Sequence, residues 1–333
     1  MVRILVFFAC LLFIPMNSIP ALGLKEQAKP KKAVQVAFSF GAQWLEVYQS
    51  MEDMLVAAVK ESDSNMDIQF WYANGDSERE ASNIRKAIAL NPDILVLMPL
   101  NSQDILHHIE SAHRKDISVI VYNRQQEPHD TIKADAYIGL DTFDQAYTTG
   151  VALFKLMRQD RQGMRTSIIL GDMADRNAIN RRNGFMRAAE EMGATIVSEI
   201  ESYWDAEKAA QGLDMALDED SQINALLVSS DFMMDPIKNV LVARNRWFPY
   251  GEKNHMYIGS QDTFSNAIPL IQGGYIAVDT AFDIWPMSTT LVQVINTLAT
   301  NTRPGQDVFL IPGRVVTRSN ISGMQDLWSL RKK

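Results

Sequence analysis

An asparagine and an arginine stand four residues apart at the start of a segment whose pattern predicts a helix. Asn177 and Arg181 follow an apolar run at 167–171 and a polar loop. Residues four apart share one face of a helix, and a guanidinium presents a rigid fork of donors. Unpaired N–H groups at a helix start also attract oxygen-rich ligands. The pattern fits a ligand site, and it fits equally a solvated helix start in which Arg181 makes a surface ion pair.

Short apolar runs alternate with helical segments from Val34 onward. Such alternation requires parallel sheets that carry helices on both faces and right-handed crossovers. The length of 333 residues suggests two lobes. The sequence therefore predicts an α/β protein with two doubly wound, Rossmann-like parallel-sheet lobes. The strand-like runs lie at 34–38, 68–71, 94–98, 119–122, 136–140, 167–171, 195–200, 225–229 and 256–259.

Polar and aromatic residues follow these strands at their carboxyl ends, where open α/β sheets bind ligands. Two tryptophans in such loops can clamp the apolar faces of a sugar ring while Asn, Arg and Asp bond its hydroxyls. Packing beneath a loop is the alternative for each tryptophan. The candidate ligand-binding residues are Ser39, Gln43, Trp44, Asn123, Arg124, Asn177, Arg181, Trp204, Ser230, Asp231, Gln261 and Asp262.

The first 23 residues have the pattern of a secretory signal peptide. Arg3 precedes an apolar run at 4–14, and a small-x-small site ends at Gly23. Residues 24–33, rich in lysine, predict a flexible leader. Cys10 is the only cysteine and lies within the signal, so the mature chain would carry no thiol. Export without disulfides indicates a bacterial periplasm, whereas a buried N-terminal helix is the alternative for this segment.

Composition and motifs argue against several classes of function. The formal net charge of −8 makes nucleic acid and anionic lipid poor partners. No dinucleotide-binding, P-loop or nucleophile-elbow motif occurs, so neither an enzyme nor a cofactor is predicted. Three histidines share a helix without further ligands at metal-binding spacing, which indicates surface histidines: His107, His108 and His113. Four carboxylates could form the pair that a hydrolase needs, but solvated helix caps explain them more simply: Asp175, Asp231, Asp262 and Asp283.

From about Val34 to its end, the chain resembles the type I periplasmic sugar-binding proteins. This family includes the ribose- and galactose/glucose-binding proteins, and lac-repressor-like regulators share its fold in their ligand domain. The specific matches are VIVYNR at 119–124, YIGLD at 137–141, NAINRRNGF at 177–185, YWD at 203–205, SSD at 229–231 and IGSQD at 258–262.

The resemblance implies roles for individual residues. Asn123 and Arg124 match the family's hydroxyl-binding pair, Arg181 its ligand arginine, and Asn177 an acidic residue that precedes that arginine in the galactose binders. Trp204 matches the stacking aromatic, and Trp44 falls near an aromatic of the first loop. Ser230 stands in place of the usual Asn, and Gln261 in place of the sugar-binding Asp unless Asp262 takes that role. The last ligand position falls among Thr280, Phe282 and Asp283, of which Asp283 completes the candidate set.

The resemblance also implies a domain organisation and a function. Three segments cross between the lobes near 138–141, 279–283 and 306–309, which gives an N-lobe of 34–138 plus 282–307 and a C-lobe of 139–281 plus 308–333. Hinge closure would bury a sugar-like ligand, and a chain that is monomeric when free would deliver it to an ABC permease. The alternative is a sensor that docks on the periplasmic domain of a histidine kinase or chemoreceptor. An export signal in place of a DNA-binding headpiece argues against a transcription regulator.

Overall fold

The computed structural model describes residues 32–42 and 46–330, which form two six-stranded sheets with helices on both faces. The predicted signal peptide, most of the predicted leader and the candidates Gln43 and Trp44 lie outside these residues. Within the two described ranges, no helix is long and apolar enough to cross a membrane.

The elements alternate as the sequence pattern predicts. The first lobe contains β1 (Val34–Phe40), α1 (Glu46–Glu61), β2 (Met66–Tyr72), α2 (Ser77–Ala89), β3 (Ile94–Met98), α3 (Leu106–His113), β4 (Ser118–Tyr122) and β5 (Ala136–Leu140). The second contains α4 (Thr142–Gln159), β6 (Arg165–Leu170), α5 (Arg176–Met192), β7 (Thr195–Glu201), α6 (Ala206–Glu219), β8 (Ala225–Val228), α7 (Met234–Ala243), β9 (Tyr257–Asp262), α8 (Ile268–Gly273) and β10 (Val278–Ala281). The chain ends with α9 (Ile284–Leu298), β11 (Val308–Ile311) and β12 (Arg314–Val316).

Both sheets repeat one strand order, β2-β1-β3-β4-β5-β11 in the first and β7-β6-β8-β9-β10-β12 in the second. The pairings are parallel apart from β10 with β12. In each sheet the order reverses beside its first strand, and ligands bind at the carboxyl ends of strands at such a switch point. The predicted doubly wound architecture is confirmed, and it turns the strand-end loops of both lobes toward one cleft.

The final strands correct one predicted boundary. β11 lies parallel to β5 in the first sheet, with Val308 opposite Tyr137, whereas β12 pairs with β10 in the second. The third crossing therefore falls at 311–314 rather than at 306–309, and residues 308–311 belong with the N-lobe. A four-residue apolar run satisfies the edge of either sheet, so its sequence does not specify its partner.

Apolar side chains fill both faces of each sheet. Helices α1 and α9 cover one face of the first sheet around Phe38, and α2 and α3 cover the other around Leu97. The second sheet is enclosed in the same way, with Ile258 on one face and Phe185 on the other. Burial of the apolar surface in each layer stabilises the fold by roughly 25 cal/mol per Å² removed from water. These two cores hold the strand-end loops in place.

Candidate ligand-binding site

The loops at the cleft hold several non-glycine residues in left-handed backbone conformations. Asn123 has φ 70°, Trp204 has φ 59° and Asp262 has φ 93°. Asn adopts this region more readily than Trp or Asp, but each case costs on the order of 1–3 kcal/mol unless the surroundings enforce it. Such backbone conformations cluster at ligand sites. In this chain they direct three side chains into the space between the lobes.

A cavity of about 330 Å³ lies between the lobes, near the lower end of the range for small-molecule sites. Its lining combines polar and aromatic side chains. The lining residues are Val47, Tyr48, Asn123, Arg124, Asp175, Asn177, Arg181, Tyr203, Trp204, Ser230, Phe232, Asp262, Phe264 and Phe282.

Asp175 is the centre of the first polar cluster. It caps α5, where its Oδ1 accepts the N–H of Asn177 at 3.0 Å. Its Oδ2 accepts from Arg124 Nη1 at 2.7 Å and from Trp204 Nε1 at 3.2 Å. Arg124 follows β4 in the first lobe and Asp175 follows β6 in the second, so this ion pair spans the cleft. Burial raises the pKa of the neighbouring Tyr48 hydroxyl, which stays neutral.

Arg181 and Asp262 form the second polar cluster. Arg181 is 4% exposed, and Nη2 donates to Asp262 Oδ1 at 2.5 Å. The remaining N–H groups donate to Gln145 Oε1, the Ser229 carbonyl and Asp262 Oδ2. All five guanidinium donors are thus engaged by protein acceptors. Arg181 positions Asp262 at the cavity wall and has no donor left for a ligand in this arrangement.

The aromatic side of the cavity is continuous. The Trp204 ring lies over Gly171, where a Cβ atom would sit only 2.2 Å from the indole, so this approach requires glycine. Phe232 follows at 6.4 Å between ring centroids, and Phe264 meets Phe232 edge-on at 5.8 Å. These rings line the same cavity as the hydrogen-bonding groups of Asn123 and Asp175. It can hold a ligand that has both a flat apolar surface and several hydroxyls.

A family model described as a periplasmic binding protein domain matches residues 36–303. The chain belongs to this family. The chain is similar to the D-xylose-binding periplasmic protein of Escherichia coli K12. The two are 23% identical over 314 residues, which are 91% of each chain. The D-xylose-binding periplasmic protein of Haemophilus influenzae is 24% identical over 260 residues, covering 76% of this chain and 74% of that relative.

Solved structures of periplasmic binding proteins share the fold. The periplasmic ribose ABC transporter protein of Conexibacter woesei superposes with a TM-score of 0.77 at 17% identity, covering 88% of this chain and 95% of its own. A periplasmic solute binding protein of an Actinobacillus succinogenes ABC transporter, with bound D-allose, gives a TM-score of 0.75 at 16% identity, covering 87% of this chain and 99% of its own. The resemblance inferred from sequence is confirmed at the level of family and fold.

Seven of the predicted site residues line the cavity, and four others that the structure describes take different positions. Ser39 and Gln261 are buried, and their side-chain polar atoms have no hydrogen-bond partner among the described residues. Asp231 is fully buried and accepts the N–H of Phe264. Asp283 is paired with Arg314. The residues that reach the cavity are Asn123, Arg124, Asn177, Arg181, Trp204, Ser230 and Asp262.

The cavity also contains residues that sequence reasoning did not assign to it. Tyr48 has the spacing of a core residue of α1, and Asp175 that of a helix cap. A cap at the carboxyl end of a strand also faces the cleft, and this signal identifies Asp175. Phe232 and Phe264 each stand two residues beyond a predicted polar site residue, Ser230 and Asp262, a proximity that can also be recognised from the sequence.

A buried carboxyl pair lies beneath the cavity wall. The Asp231 and Asp279 carboxyls are hydrogen-bonded to each other, and Asp279 accepts from the hydroxyls of Ser260 and Thr263. Burial, with the charges of Asp279 and Asp262 nearby, raises the pKa of Asp231 well above its ordinary value. Burial raises the pKa of Asp279 to about 6. The pair therefore retains a proton over part of the pH range in which free aspartates are ionised.

The histidines differ in part from the sequence expectation. His107 and His113 are exposed, and His113 lies 3.0 Å from a carboxylate oxygen of Asp135. His108 is buried, which corrects its assignment to the surface, and burial lowers its pKa to about 4. In the part of the chain that the structure describes, no cluster of three or more His, Cys, Asp or Glu is arranged to hold a metal ion.

Proposed function

We propose that the protein is an exported solute-binding protein that captures a sugar or sugar derivative in the interlobe cavity and delivers it to an ABC importer. The observation that carries this proposal is the mixed lining of the cavity, where the polar side chains of Asn123, Asp175 and Asn177 lie together with the indole of Trp204. Hydroxyl groups of a ring satisfy the polar side, and its C–H faces cover the indole.

The buried carbonyl oxygen on the Asn123 side chain supports this assignment. Asn123 is 5% exposed, and its Oδ1 has no hydrogen-bond partner among the described residues. A buried acceptor without a donor costs about 1–3 kcal/mol, and a ligand hydroxyl would supply the missing donor. The names of the similar proteins point the same way, since they include D-xylose-binding proteins and structures with bound D-allose and myo-inositol.

A thermal-shift screen tests capture. The chain from residue 24 onward is heated with pentoses, hexoses, sugar acids, polyols and nucleosides, with Asn123→Ala as the matched variant. A ligand at 100 times its dissociation constant stabilises the native state by about 2.7 kcal/mol. We expect at least one sugar or polyol to raise the midpoint and Asn123→Ala to reduce the shift. No response to any sugar or polyol would overturn the proposal.

Uptake in cells tests delivery. A strain without the gene should lose uptake of the sugar that the purified protein binds, and plasmid-borne protein should restore it. Normal uptake in that strain would contradict delivery and favour the sensing alternative. Fractionation of the same cells tests export: the protein should accumulate in the periplasm with its N-terminus at Leu24, as a signal peptide ending at Gly23 requires.

A further inference from the structure

A second, smaller cavity of about 120 Å³ adjoins the main one. Arg124 and Asp175 line both cavities, so this ion pair is their shared wall. We name the smaller space the side cavity. Its other polar walls come from both lobes, with Asn101, Ser102 and Gln125 from the first and Asp172 and Arg176 from the second.

Both cations around the side cavity are already paired. Arg124 pairs with Asp175 at 2.7 Å, and Arg176 pairs with Glu127 at 3.0 Å. Asp172 adds a further carboxylate, whose Oδ1 accepts the N–H of Ala174 at 2.8 Å. A carboxylate or phosphate on the ligand would meet no free cation here and would face a nearby anion. The walls therefore favour an uncharged group.

One buried donor points to the type of group. Arg176 Nε is buried and has no hydrogen-bond partner among the described residues, although Nη1 of the same side chain is bound by Glu127. A hydroxyl oxygen in the side cavity would satisfy it and remove the cost of a buried unpaired donor. The side cavity has about a third of the volume of the main cavity, which suits a short substituent.

We infer that the side cavity is a subsite for a short hydroxylated substituent on the ligand ring, such as the hydroxymethyl group that distinguishes a hexopyranose from a pentopyranose. This inference rests on the proposed capture of a sugar. It makes the ligand a ring with a one- or two-carbon polar arm, the ring in the main cavity and the arm alongside the Arg124–Asp175 pair, where the two cavities adjoin.

Matched sugar pairs test the subsite directly. D-xylose and D-glucose have the same ring and differ by one hydroxymethyl group, as do L-arabinose and D-galactose, D-ribose and D-allose, and D-lyxose and D-mannose. Affinities for all eight are measured by calorimetry. We expect the hexose to bind at least about tenfold more tightly in any pair that binds, the scale of one well-placed group. D-glucuronate should bind less tightly than D-glucose because its arm is anionic.

Two variants separate the side cavity from the main cavity. Ala174→Phe fills the side cavity, and Ala243→Phe places the same ring on an exposed alanine of α7 as the control. Arg176→Lys keeps a cation beside Glu127 but removes the Nε donor. We expect Ala174→Phe to lower hexose affinity about tenfold and to leave pentose affinity within about twofold. Arg176→Lys should weaken the hexose selectively, and Ala243→Phe should change neither.

The outcomes distinguish the subsite from the proposed function. Equal affinity within the bound pair, a preference for the pentose, or an equal loss of both sugars in Ala174→Phe would overturn the subsite while leaving sugar capture intact. Failure of all eight sugars and the wider screen to bind folded protein would instead overturn sugar capture, and the subsite with it.

Discussion

The indole of Trp204 is the largest side chain of the cavity, and it makes both an apolar ring contact and a hydrogen bond. Its ring lies over Gly171, and its Nε1 donates to Asp175. We expect Trp204→Ala to weaken ligand binding by about 1–3 kcal/mol, or roughly 5- to 150-fold, because a large contact surface is lost. Titration calorimetry with the ligand found by screening measures the change.

A control for this substitution comes from the same lobe. Trp247 is also half-buried, but it stacks on Tyr275 at 4.7 Å and does not line the main cavity. Trp247→Ala should leave affinity unchanged. If Trp204→Ala bound the ligand as tightly as the native chain, its indole would be a packing residue and the stacking role would be wrong.

Neighbouring arginines of α5 differ in what they hold. Arg181 is buried against Asp262, whereas Arg182 pairs with Glu199 where both side chains are partly exposed. We expect Arg181→Ala to lower the free energy of unfolding by about 3–5 kcal/mol, since Asp262 would stay buried without a cation. Arg182→Ala should cost less than about 1 kcal/mol. Urea denaturation of both variants measures the difference.

A double variant checks the reason for this asymmetry. Arg181→Met with Asp262→Asn removes both charges, keeps at position 262 a residue type that tolerates the left-handed backbone, and should recover much of the stability that Arg181→Ala loses, because the cost comes mainly from the uncompensated carboxylate. Equal free energies of unfolding for Arg181→Ala and Arg182→Ala would contradict the buried-pair explanation.

At the scale of elements, the ends of β8, β9 and β10 meet at the buried carboxyl pair. Asp231 follows β8, and Asp279 lies within β10. Asp231 holds the backbone N–H of Phe264 at 3.1 Å, directly after the left-handed residues Asp262 and Thr263. The pair therefore links the second sheet to the loop that carries part of the aromatic wall.

This pair predicts a dependence of stability on pH. Both pKa values are raised in the folded chain above the ordinary 3.8, Asp279 to about 6, so the folded state binds more protons than the unfolded state between these values. The free energy of unfolding should then fall as pH rises from about 4, by about 1.4 kcal/mol per pH unit for each group. Asp231→Asn keeps an acceptor for Phe264 and removes one acid, so its curve should be flatter and higher at pH 8.

Thermal unfolding at pH 5, 6.5 and 8 follows both curves, with the exposed Asp235→Asn of α7 as the control. Asp262, already paired with Arg181, is the other carboxylate that faces Asp231. Parallel curves of stability against pH for the native chain and Asp231→Asn would show that the Asp231–Asp279 pair does not retain a proton in the folded state.

At the scale of the whole molecule, the lobes meet through polar contacts around the cleft. Arg124 bonds Asp175, and Arg176 bonds Glu127. Glu46 of α1 accepts both the N–H and the hydroxyl of Ser265 in the other lobe, at 2.8 Å and 2.9 Å. An arrangement with separated lobes would lose these bonds to water, so they favour the arrangement that encloses the cavity.

Glu46 offers a test of lobe closure because it does not line the main cavity. We expect Glu46→Ala to weaken ligand binding about three- to tenfold by accelerating dissociation, since hydrogen bonds to a charged group contribute about 1.5–3 kcal/mol and exposure reduces this. Stopped-flow fluorescence measures the rate. Glu61→Ala, at the exposed end of the same helix, should leave it unchanged, and an unaltered rate in Glu46→Ala would exclude a role for this contact in closure.

Local pattern was sufficient for the elements and for the sheet edge at which the candidate site lies. The alternation of apolar runs and helical segments specified two doubly wound sheets, because buried parallel strands and amphipathic helices each have a recognisable period. The strand-end loops followed from that architecture, and the structure brings the predicted residues Asn123, Asn177 and Trp204 together at the cavity.

Only the tertiary structure decided which polar groups remain available to a ligand. Arg181 and Asp262 are separated by 81 residues and are hydrogen-bonded to each other. The Arg181 guanidinium, expected to donate to a ligand, therefore donates to protein acceptors. Two neighbouring residues of one loop differ because of contacts with distant segments. Ser230 lines the cavity, whereas Asp231 is buried beside Asp279. The direction of a side chain in a loop, and the partner of a short edge strand such as β11, depend on contacts between distant segments, which no local period encodes.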